Sequence, residues 1–253
     1  SLLTVSLLLG MGSLAPRVGA ETVLVQGRLS EREVRELLLQ GFLQTQQGQP
    51  VQAIKTFERV LEAARQGQDR QLEASALLRI GRNYYQIGQR QQALESYEQA
   101  LILFRETNDR SGEVATLTNI GAVYNALGRR TEALDYYNQA LPIMREVGNR
   151  SMEATTLNNI GAVYDALGKR TEALDYYNQA LPIRREVGDR SGEAGTLNNI
   201  GMVYHVLGRR TEALDYFNQA LPIRREVGDR PGEASTLNNI GAVYDALGKR
   251  TEA

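Results

Sequence analysis

The residue types that most often perform catalysis or bind metals are nearly absent from this sequence. It has one histidine, His205, and no cysteine. Two-histidine metal sites, thiolate zinc sites, cysteine nucleophiles and disulfides are therefore excluded from it, and a histidine-dependent triad would depend on His205 alone. His205 occurs where Asp165 and Asp245 stand 40 residues away on either side, which favours a solvated groove residue over a base or a ligand. We expect no catalytic residue, metal ligand or cofactor in this segment.

Asparagine side chains, in contrast, recur within one short motif. LNNIGAVY occupies residues 157–164 and 237–244, and its variants LTNIGAVY and LNNIGMVY occupy residues 117–124 and 197–204. Asparagine is a mediocre helix former, because its side chain competes for nearby backbone hydrogen bonds. It can also bind well, since a carboxamide offers two donors and an acceptor without a charge to desolvate. Its recurrence at one place indicates a purpose other than helix formation.

The charge balance argues against polyanionic ligands. The 29 basic and 30 acidic residues leave a net charge of −1. Electrostatic binding of nucleic acid or of an anionic membrane needs a clustered basic surface. Turns of the form GRR or GKR, from Arg129 to Arg250, predict a basic row along one edge. Glutamates that follow two residues later, such as Glu132 and Glu172, offset this row, and the recurring carboxylates are typical of solvated faces and helix starts. We expect no nucleic-acid partner and find no sign of a small-molecule substrate.

The first 20 residues have the pattern of a secretory signal. An apolar run from Leu2 to about Leu14 is followed by Pro16 and by a V-x-A sequence that ends at Ala20. A run of this length with small residues before a break is typical of a signal peptide and not of a membrane span. We predict a signal peptide over residues 1–20, export to the periplasm or the outside, and membrane contact only through this segment. An amphipathic or disordered tail on a cytoplasmic protein is the alternative.

After residue 33, the elements that must position any binding residue repeat with a fixed period. Residues 133–172 and 173–212 agree at 32 of 40 positions, without an insertion or a deletion. Each unit has two helical patterns, which run in the best example from about Glu153 to Leu167 and from about Thr171 to Glu186. Neither helix can bury its apolar stripe alone, so the pairs must stack. We predict a linker and helix start at residues 21–33 and an array at residues 34–253, with five repeats and a truncated sixth.

The spacing within one unit identifies the buried face. With Ala154 as position 1, Leu157, Ile160, Gly161 and Tyr164 fall at positions 4, 7, 8 and 11, the spacing of one helix face. The opposing helix supplies an alanine and tyrosine stripe from Ala173, Tyr177 and Ala180. This large–small–aromatic pattern resembles the tetratricopeptide repeat (TPR) family. The resemblance implies an all-α, right-handed superhelical solenoid of antiparallel helix pairs.

Two departures from that pattern refine the resemblance. The period is 40 residues where the family usually has 34, and arginines such as Arg145 stand where the family has proline at position 32. The longer period is similar to the repeats of kinesin light chains, of Leu-Gly-Asn-type scaffolds and of bacterial TPR–CHAT proteins. Pro142, Pro182 and Pro222 lie inside second helices, and we expect each to bend its helix and set the superhelical curvature.

Differences between the near-identical units indicate a binding face. They cluster at positions 2, 9, 12 and 13, which lie with positions 5 and 6 on one side of the first helix, away from the core. The resemblance implies that this side lines a concave groove, where position 6 asparagines hydrogen-bond the backbone of a peptide. The candidate peptide-binding residues are Thr118, Asn119, Asn125, Asn158, Asn159, Asp165, Asn198, Asn199, Met202, His205, Asn238, Asn239 and Asp245.

These observations predict a non-catalytic scaffold that binds a protein or peptide partner in its groove. One alternative is the regulatory or substrate-docking arm of a larger enzyme, with a CHAT-type peptidase domain beyond residue 253. A structural spacer or self-association module is the second alternative. Because the last unit stops at Ala253, the start of a second helix, we expect the chain to be a fragment. The partner's identity and the oligomeric state are not encoded in these patterns.

Overall fold

The computed structural model describes residues 29–248, and every regular element within that range is an α-helix. The eleven helices of this range are α1 (Glu31–Gln46), α2 (Pro50–Gly67), α3 (Arg70–Gln86), α4 (Arg90–Glu106), α5 (Arg110–Ala126), α6 (Arg130–Glu146), α7 (Arg150–Ala166), α8 (Arg170–Glu186), α9 (Arg190–Val206), α10 (Arg210–Glu226) and α11 (Arg230–Ala246). Odd-numbered helices are the first helices of units 1 to 6, which begin at residues 34, 74, 114, 154, 194 and 234. The all-α solenoid of stacked helix pairs is confirmed.

Side-chain caps determine where the first helices begin. The Asn149 side chain accepts a hydrogen bond from the backbone N–H of Met152 at 3.1 Å, and Asp189 accepts one from Gly192 at 2.8 Å. A cap of this kind satisfies one of the free N–H groups of the first turn. Helix α7 therefore begins at Arg150, three residues before the predicted Glu153. Its C-terminal end is as expected, since Gly168 has a φ of +77° directly after the last turn.

The core within a unit follows the predicted face and extends beyond it. Leu157 and Ile160 are buried, and a Cβ built on Gly161 would stand 2.7 Å from the ring of Tyr177, so only glycine lets this ring pack against the first helix. Positions 3 and 10, which the sequence pattern did not assign to the core, are also buried; in unit 4 they are Thr156 and Val163. Both stay buried in the last unit, where positions 4 and 7 are partly uncovered, so they pack towards the preceding unit.

The junctions between units contain ion pairs that the sequence reading missed. Glu153 was expected at a solvated helix start, but it is only 3% exposed. Its carboxylate accepts hydrogen bonds from Arg145, at 2.8 Å, and from Arg150. Arg150 also reaches Glu186 in the next second helix, at 2.8 Å. The expectation of solvation was wrong here because a buried carboxylate is tolerated when cations satisfy its oxygens.

This arrangement recurs from unit to unit. The equivalent buried glutamates are Glu73, Glu113 and Glu193, and each is held by two arginines. The arginine at position 32, where the family has proline, is one of the two partners every time. Its role is therefore to join the second helix of its own unit to the first helix of the next unit.

Two features mark the N-terminal end of the array. Helix α1 begins with a capping box, in which Ser30 donates its backbone N–H to Glu33 at 2.8 Å. Gln40 is exposed and Gln44 accepts a hydrogen bond from Thr56, so unit 1 has polar side chains at two positions that are apolar elsewhere. The predicted signal peptide at residues 1–20 and the end of the array at residues 249–253 lie outside the described residues. Export therefore stays a prediction.

Prolines lie inside three second helices and at the start of α11. Helices α6, α8 and α10 continue on both sides of Pro142, Pro182 and Pro222, and a bend at these prolines stays a prediction. Pro231 lies in the first turn of α11, where its missing N–H costs nothing. Among residues 29–248, no helix combines the length and the apolar composition that a membrane span requires.

Candidate functional site

The first helices form the inner surface of the stack. Successive first helices contact each other, α3 with α5, α5 with α7, α7 with α9 and α9 with α11, whereas second helices of successive units make no comparable contacts in the described range. In a curved stack the more closely spaced layer lies on the inside of the curve. We call the side of the first helices that carries positions 2, 5, 6, 9, 12 and 13 the inner surface. All candidate binding residues lie on it.

Some of the asparagines bind each other across the unit junctions. Asn158 Oδ1 accepts hydrogen bonds from Asn199 Nδ2 at 3.3 Å and from the Thr196 hydroxyl at 3.2 Å. The next junction repeats the pattern, since Asn198 Oδ1 accepts from Asn239 at 3.0 Å and from Thr236 at 3.4 Å. The position 5 asparagine therefore has a structural role that the sequence reading did not foresee. Residues 41 apart must meet for this bond, and no local pattern shows that.

Other asparagines have no such partner. Unit 3 has Thr118 at position 5, and its hydroxyl donates to the Val114 carbonyl of its own helix. Asn159 therefore lacks the acceptor that Asn199 has. Asn119 has Leu78 at the corresponding place. Neither side chain makes a hydrogen bond with any residue of the range 29–248, and both are half-buried. Half-buried carboxamides without partners are donors and acceptors available to a ligand. These two residues fit the predicted role better than Asn199 does.

The variable positions give the inner surface different chemistry in each unit. Met202 is 37% exposed, and it stands where units 3, 4 and 6 have alanine. At position 12, Asp165 is paired with Arg170, whose Nη1 lies 2.6 Å from the carboxylate. His205 is half-buried at the equivalent position of unit 5, and its Nδ1 has no hydrogen-bond partner. The remaining candidates are half-buried or exposed: Thr118 and Asn125 are half-buried, whereas Asn238 and Asp245 are exposed.

The basic row at the turns packs on aromatic rings. Tyr164 and Tyr176 are stacked at 5.3 Å between ring centroids, and the Lys169 ammonium lies 5.7 Å from the Tyr164 ring. The same stack recurs in units 3 and 5, with arginine in place of lysine. Arg129 also pairs with Glu132, as the sequence reading expected. Much of this basic row is therefore engaged within the protein.

A pair of arginines on the inner surface escaped the sequence reading. Position 6 of unit 2 is Arg79, and its guanidinium lies over the Phe42 ring of unit 1 at 3.7 Å from the centroid. Arg82 follows at position 9, where units 3, 4 and 6 have alanine. The departure from asparagine and alanine at these two positions was the signal that could have revealed the pair. No cluster of histidine, aspartate and glutamate side chains able to hold a metal occurs within residues 29–248.

Comparison with known proteins agrees with this architecture. One family model described as tetratricopeptide repeat matches residues 34–106, 113–186 and 192–253, and a second with the same description matches residues 78–147. The crystal structure of BtubC (BKLC) from P. vanneervenii is 25% identical with a TM-score of 0.70, over 79% of this chain and 85% of that one. No curated protein matches the sequence.

Two other solved structures have the same fold at lower identity. A putative kinesin light chain of Podosopora anserina, with nearly identical TPR-like repeats, is 19% identical with a TM-score of 0.65, over 78% of this chain and 97% of that one. A Rap protein complexed with Competence and Sporulation Factor is 19% identical with a TM-score of 0.70, over 88% of this chain and 66% of that one. At these identities the likeness concerns the fold.

Proposed function

This chain belongs to the tetratricopeptide repeat family, and from that premise we propose that it is a non-catalytic scaffold for protein–protein interaction. An extended or helical segment of a partner protein binds along the inner surface. The observation that carries the proposal is the state of Asn119 and Asn159. Their half-buried carboxamides face the inside of the stack and have no partner within residues 29–248. A bound backbone would supply the missing acceptors and donors.

The constant and variable positions of the inner surface would contact different parts of the ligand. The carboxamides of Asn119 and Asn159 are constant contacts, whereas Met202, Asp165 and His205 differ between units and would contact different side chains of the ligand. A fixed backbone contact with variable pockets gives both affinity and specificity. The complex of a Rap protein with Competence and Sporulation Factor is a case in which a protein with this fold binds a named factor, and it supports the proposal by analogy.

The test starts from peptides, because the partner is unidentified. A library of random dodecapeptides is selected on the full chain, and the affinity of the best binders is then measured by calorimetric titration. We expect Asn159→Ala to weaken binding by about 1–2 kcal/mol through the loss of hydrogen bonds at the interface. Asn178→Ala is the matched control, since Asn178 is an exposed asparagine of a second helix with no hydrogen bond in the described range.

Two results would contradict the proposal. One is a selection that yields no binding peptide. The other is an unchanged affinity in Asn159→Ala for every selected peptide, with the variant as helical as the parent by circular dichroism. Asn199→Ala is unsuitable as the primary probe, because Asn199 also donates to Asn158 across a junction and its removal would change the scaffold itself.

A further inference from the structure

The inner surface is not uniform in charge, and its N-terminal end has an arrangement found in no other unit. Arg79 occupies the position that holds asparagine in units 3 to 6. Its guanidinium lies over the Phe42 ring at 3.7 Å and faces Phe57 more distantly, at 5.9 Å. The Nε of Arg79 is buried and has no hydrogen-bond partner. The side chain is therefore held by aromatic packing while part of its hydrogen-bonding capacity is unused.

A second cation lies beside it. Arg82 is exposed and follows Arg79 by three residues on the same helix, so the two side chains are neighbours on one face. Neither arginine forms an ion pair with a carboxylate of residues 29–248. Burial, followed by repulsion from Arg82, lowers the pKa of Arg79 to about 10. Two neighbouring cations without a counter-ion carry an unfavourable electrostatic energy that a bound anion would relieve.

We propose that this end of the inner surface is a binding site for carboxylates, and that the partner segment is acidic where it passes Arg79 and Arg82. The proposal rests on the proposed function, since it names the chemistry of the segment that the scaffold holds. Guanidinium groups bind carboxylates through paired, charge-assisted hydrogen bonds. The Nη groups of Arg79, which make no hydrogen bond within residues 29–248, and the exposed head of Arg82 offer such donors.

The charge pattern also sets the direction in which the segment lies. Further along the inner surface, units 3 to 5 have Asn119, Asn159 and Met202, which suit uncharged ligand residues. An acidic stretch is therefore favoured at α3 over α7. This polarity fixes one orientation of the partner along the array.

Other anions fit the site less well. Within residues 1–28, Glu21 is the one acidic residue, and a single carboxylate can neutralise at most one of the two arginines. A nucleic acid strand that ran along the inner surface would find no cation at positions 6 and 9 of units 3 to 6. The net charge of −1 also opposes a polyanion. A protein segment can be acidic where it passes Arg79 and Arg82 and uncharged beyond them, which a nucleic acid backbone cannot.

The experiment uses substitutions that the array already tolerates elsewhere. In the double variant, Arg79→Asn and Arg82→Ala introduce the residues that units 3 and 4 have at the same positions. Arg59→Gln, at an exposed arginine of the second helix α2, is the control. The probes are peptides from the selected library, blocked at both ends, and their analogues with glutamine for glutamate and asparagine for aspartate. Arg82→Ala alone is a further variant that removes no ring contact.

We expect the selected peptides to be enriched in aspartate and glutamate. The double variant should bind them about tenfold or more weakly than the parent, and Arg82→Ala alone should weaken binding by a smaller factor. The amide analogues should bind the parent and the double variant equally, and Arg59→Gln should have no effect. Circular dichroism checks that each variant keeps its helicity.

The opposing outcomes separate this inference from the proposed function. Selected peptides without acidic enrichment, bound equally by the parent and both arginine variants, would overturn the inference and leave the scaffold function standing. A failure to select any peptide would overturn both. A single-stranded oligonucleotide that binds the parent through Arg79 and Arg82 would overturn the acidic-peptide proposal. Binding of the acidic probe by a Glu21→Gln variant but not by the parent would also overturn it, because the Glu21 carboxylate would then occupy the site in the parent.

Discussion

The side-chain oxygen of Asn158 accepts a hydrogen bond from the side-chain nitrogen of Asn199, across the junction between units 4 and 5. The same oxygen accepts from the hydroxyl of Thr196, which is only 1% exposed. Asn158→Ala should therefore lower the free energy of unfolding by about 0.5–1.5 kcal/mol, since Asn199 loses its acceptor and Thr196 keeps only the Gly192 carbonyl of its own helix, at 3.0 Å. Urea denaturation followed by circular dichroism measures this change.

Asn159→Ala is the matched control for that measurement. It removes the same residue type from the adjacent position of the same helix, so it brings the same gain in helix propensity. Asn159 has no hydrogen bond within residues 29–248 to lose. We expect a change within about 0.5 kcal/mol. Equal destabilisation by the two substitutions would show that the Asn158–Asn199 bond contributes nothing.

The junction between units 3 and 4 lacks this bond and can be given one. Thr118 stands where Asn158 stands in the next unit, and the hydroxyl of Thr156, which is 0% exposed, has no hydrogen-bond partner. Thr118→Asn should supply an acceptor to Thr156 and to Asn159, and raise the free energy of unfolding by about 0.5–1.5 kcal/mol. Chemical denaturation of the variant measures the gain.

A double-mutant cycle tests the cause of that gain. In a Thr156→Val background the added asparagine can accept only from Asn159, so part of the stabilisation should disappear, and a Thr156→Val, Asn159→Ala background should remove the rest. Thr118→Ala controls for the loss of the threonine itself. If Thr118→Asn is as stabilising in the background that lacks both donors as in the parent chain, hydrogen bonds across the junction are not its source.

The sequence predicted what depends on one unit and missed what depends on contacts between units. The 40-residue period and the buried spacing of Leu157 and Ile160 are local, and the structure confirms both. The burial of Thr156 arises from the preceding unit, and that of Glu153 depends on Arg145, which lies in the preceding second helix. Helical periodicity does not predict such contacts, because it describes only one face of one helix.

The candidate binding residues show the same limit. Their common face was predictable, because variation and asparagine both occur at fixed positions of the first helix. Which asparagine already has a hydrogen-bond partner was not predictable. Asn199 and Asn159 occupy the same position of different units, and they differ in the residue at position 5 of the preceding unit, which is Asn158 or Thr118. Arg79 lies in unit 2, which differs from units 3 to 6 at positions 6 and 9, so variation among the near-identical units 3 to 6 does not reveal it.

Glycines at two places in the first helices should respond in opposite ways to alanine. A Cβ on Gly161 would stand 2.7 Å and 2.8 Å from two carbons of the Tyr177 ring, so the ring or the helix must move. Gly195, on the inner surface of α9, has only Arg224 Nη2 at 3.9 Å from its Cβ position. Gly161→Ala should destabilise by about 1–3 kcal/mol through overpacking. Gly195→Ala should stabilise by about 0.5–1 kcal/mol through helix propensity.

Thermal and urea unfolding of both variants check this contrast. The change at Gly161 is expected to recur at Gly201, whose Cβ would stand 2.7 Å from the ring of Phe217. Destabilisation by Gly195→Ala of the same size as at Gly161 would mean that helical glycine itself, and not the facing ring, determines the effect.

The exposed ion pair between Arg150 and Glu186 should make the stability of the fold depend on pH. Arg150 donates to both carboxylate oxygens of Glu186, from Nη2 at 2.8 Å and from Nε at 3.3 Å. These hydrogen bonds lower the pKa of Glu186 below its ordinary value of 4.5. The carboxylate is thus stabilised in the folded state, and its contribution is complete above pH 4.5 and is lost as the pH falls through the lowered pKa.

Glu186→Gln removes the titrating group, so its effect should depend on pH in the same way. The Tm of the variant should lie below that of the parent at pH 7, and the difference should shrink as the pH falls below 4.5. Screening of this exposed pair by salt should reduce the difference at pH 7 as well. Glu172→Gln, which removes an exposed glutamate without an ion pair in the described range, is the control. A difference in Tm that is the same at pH 7 and pH 3 would show that the charge of Glu186 is not what Arg150 holds.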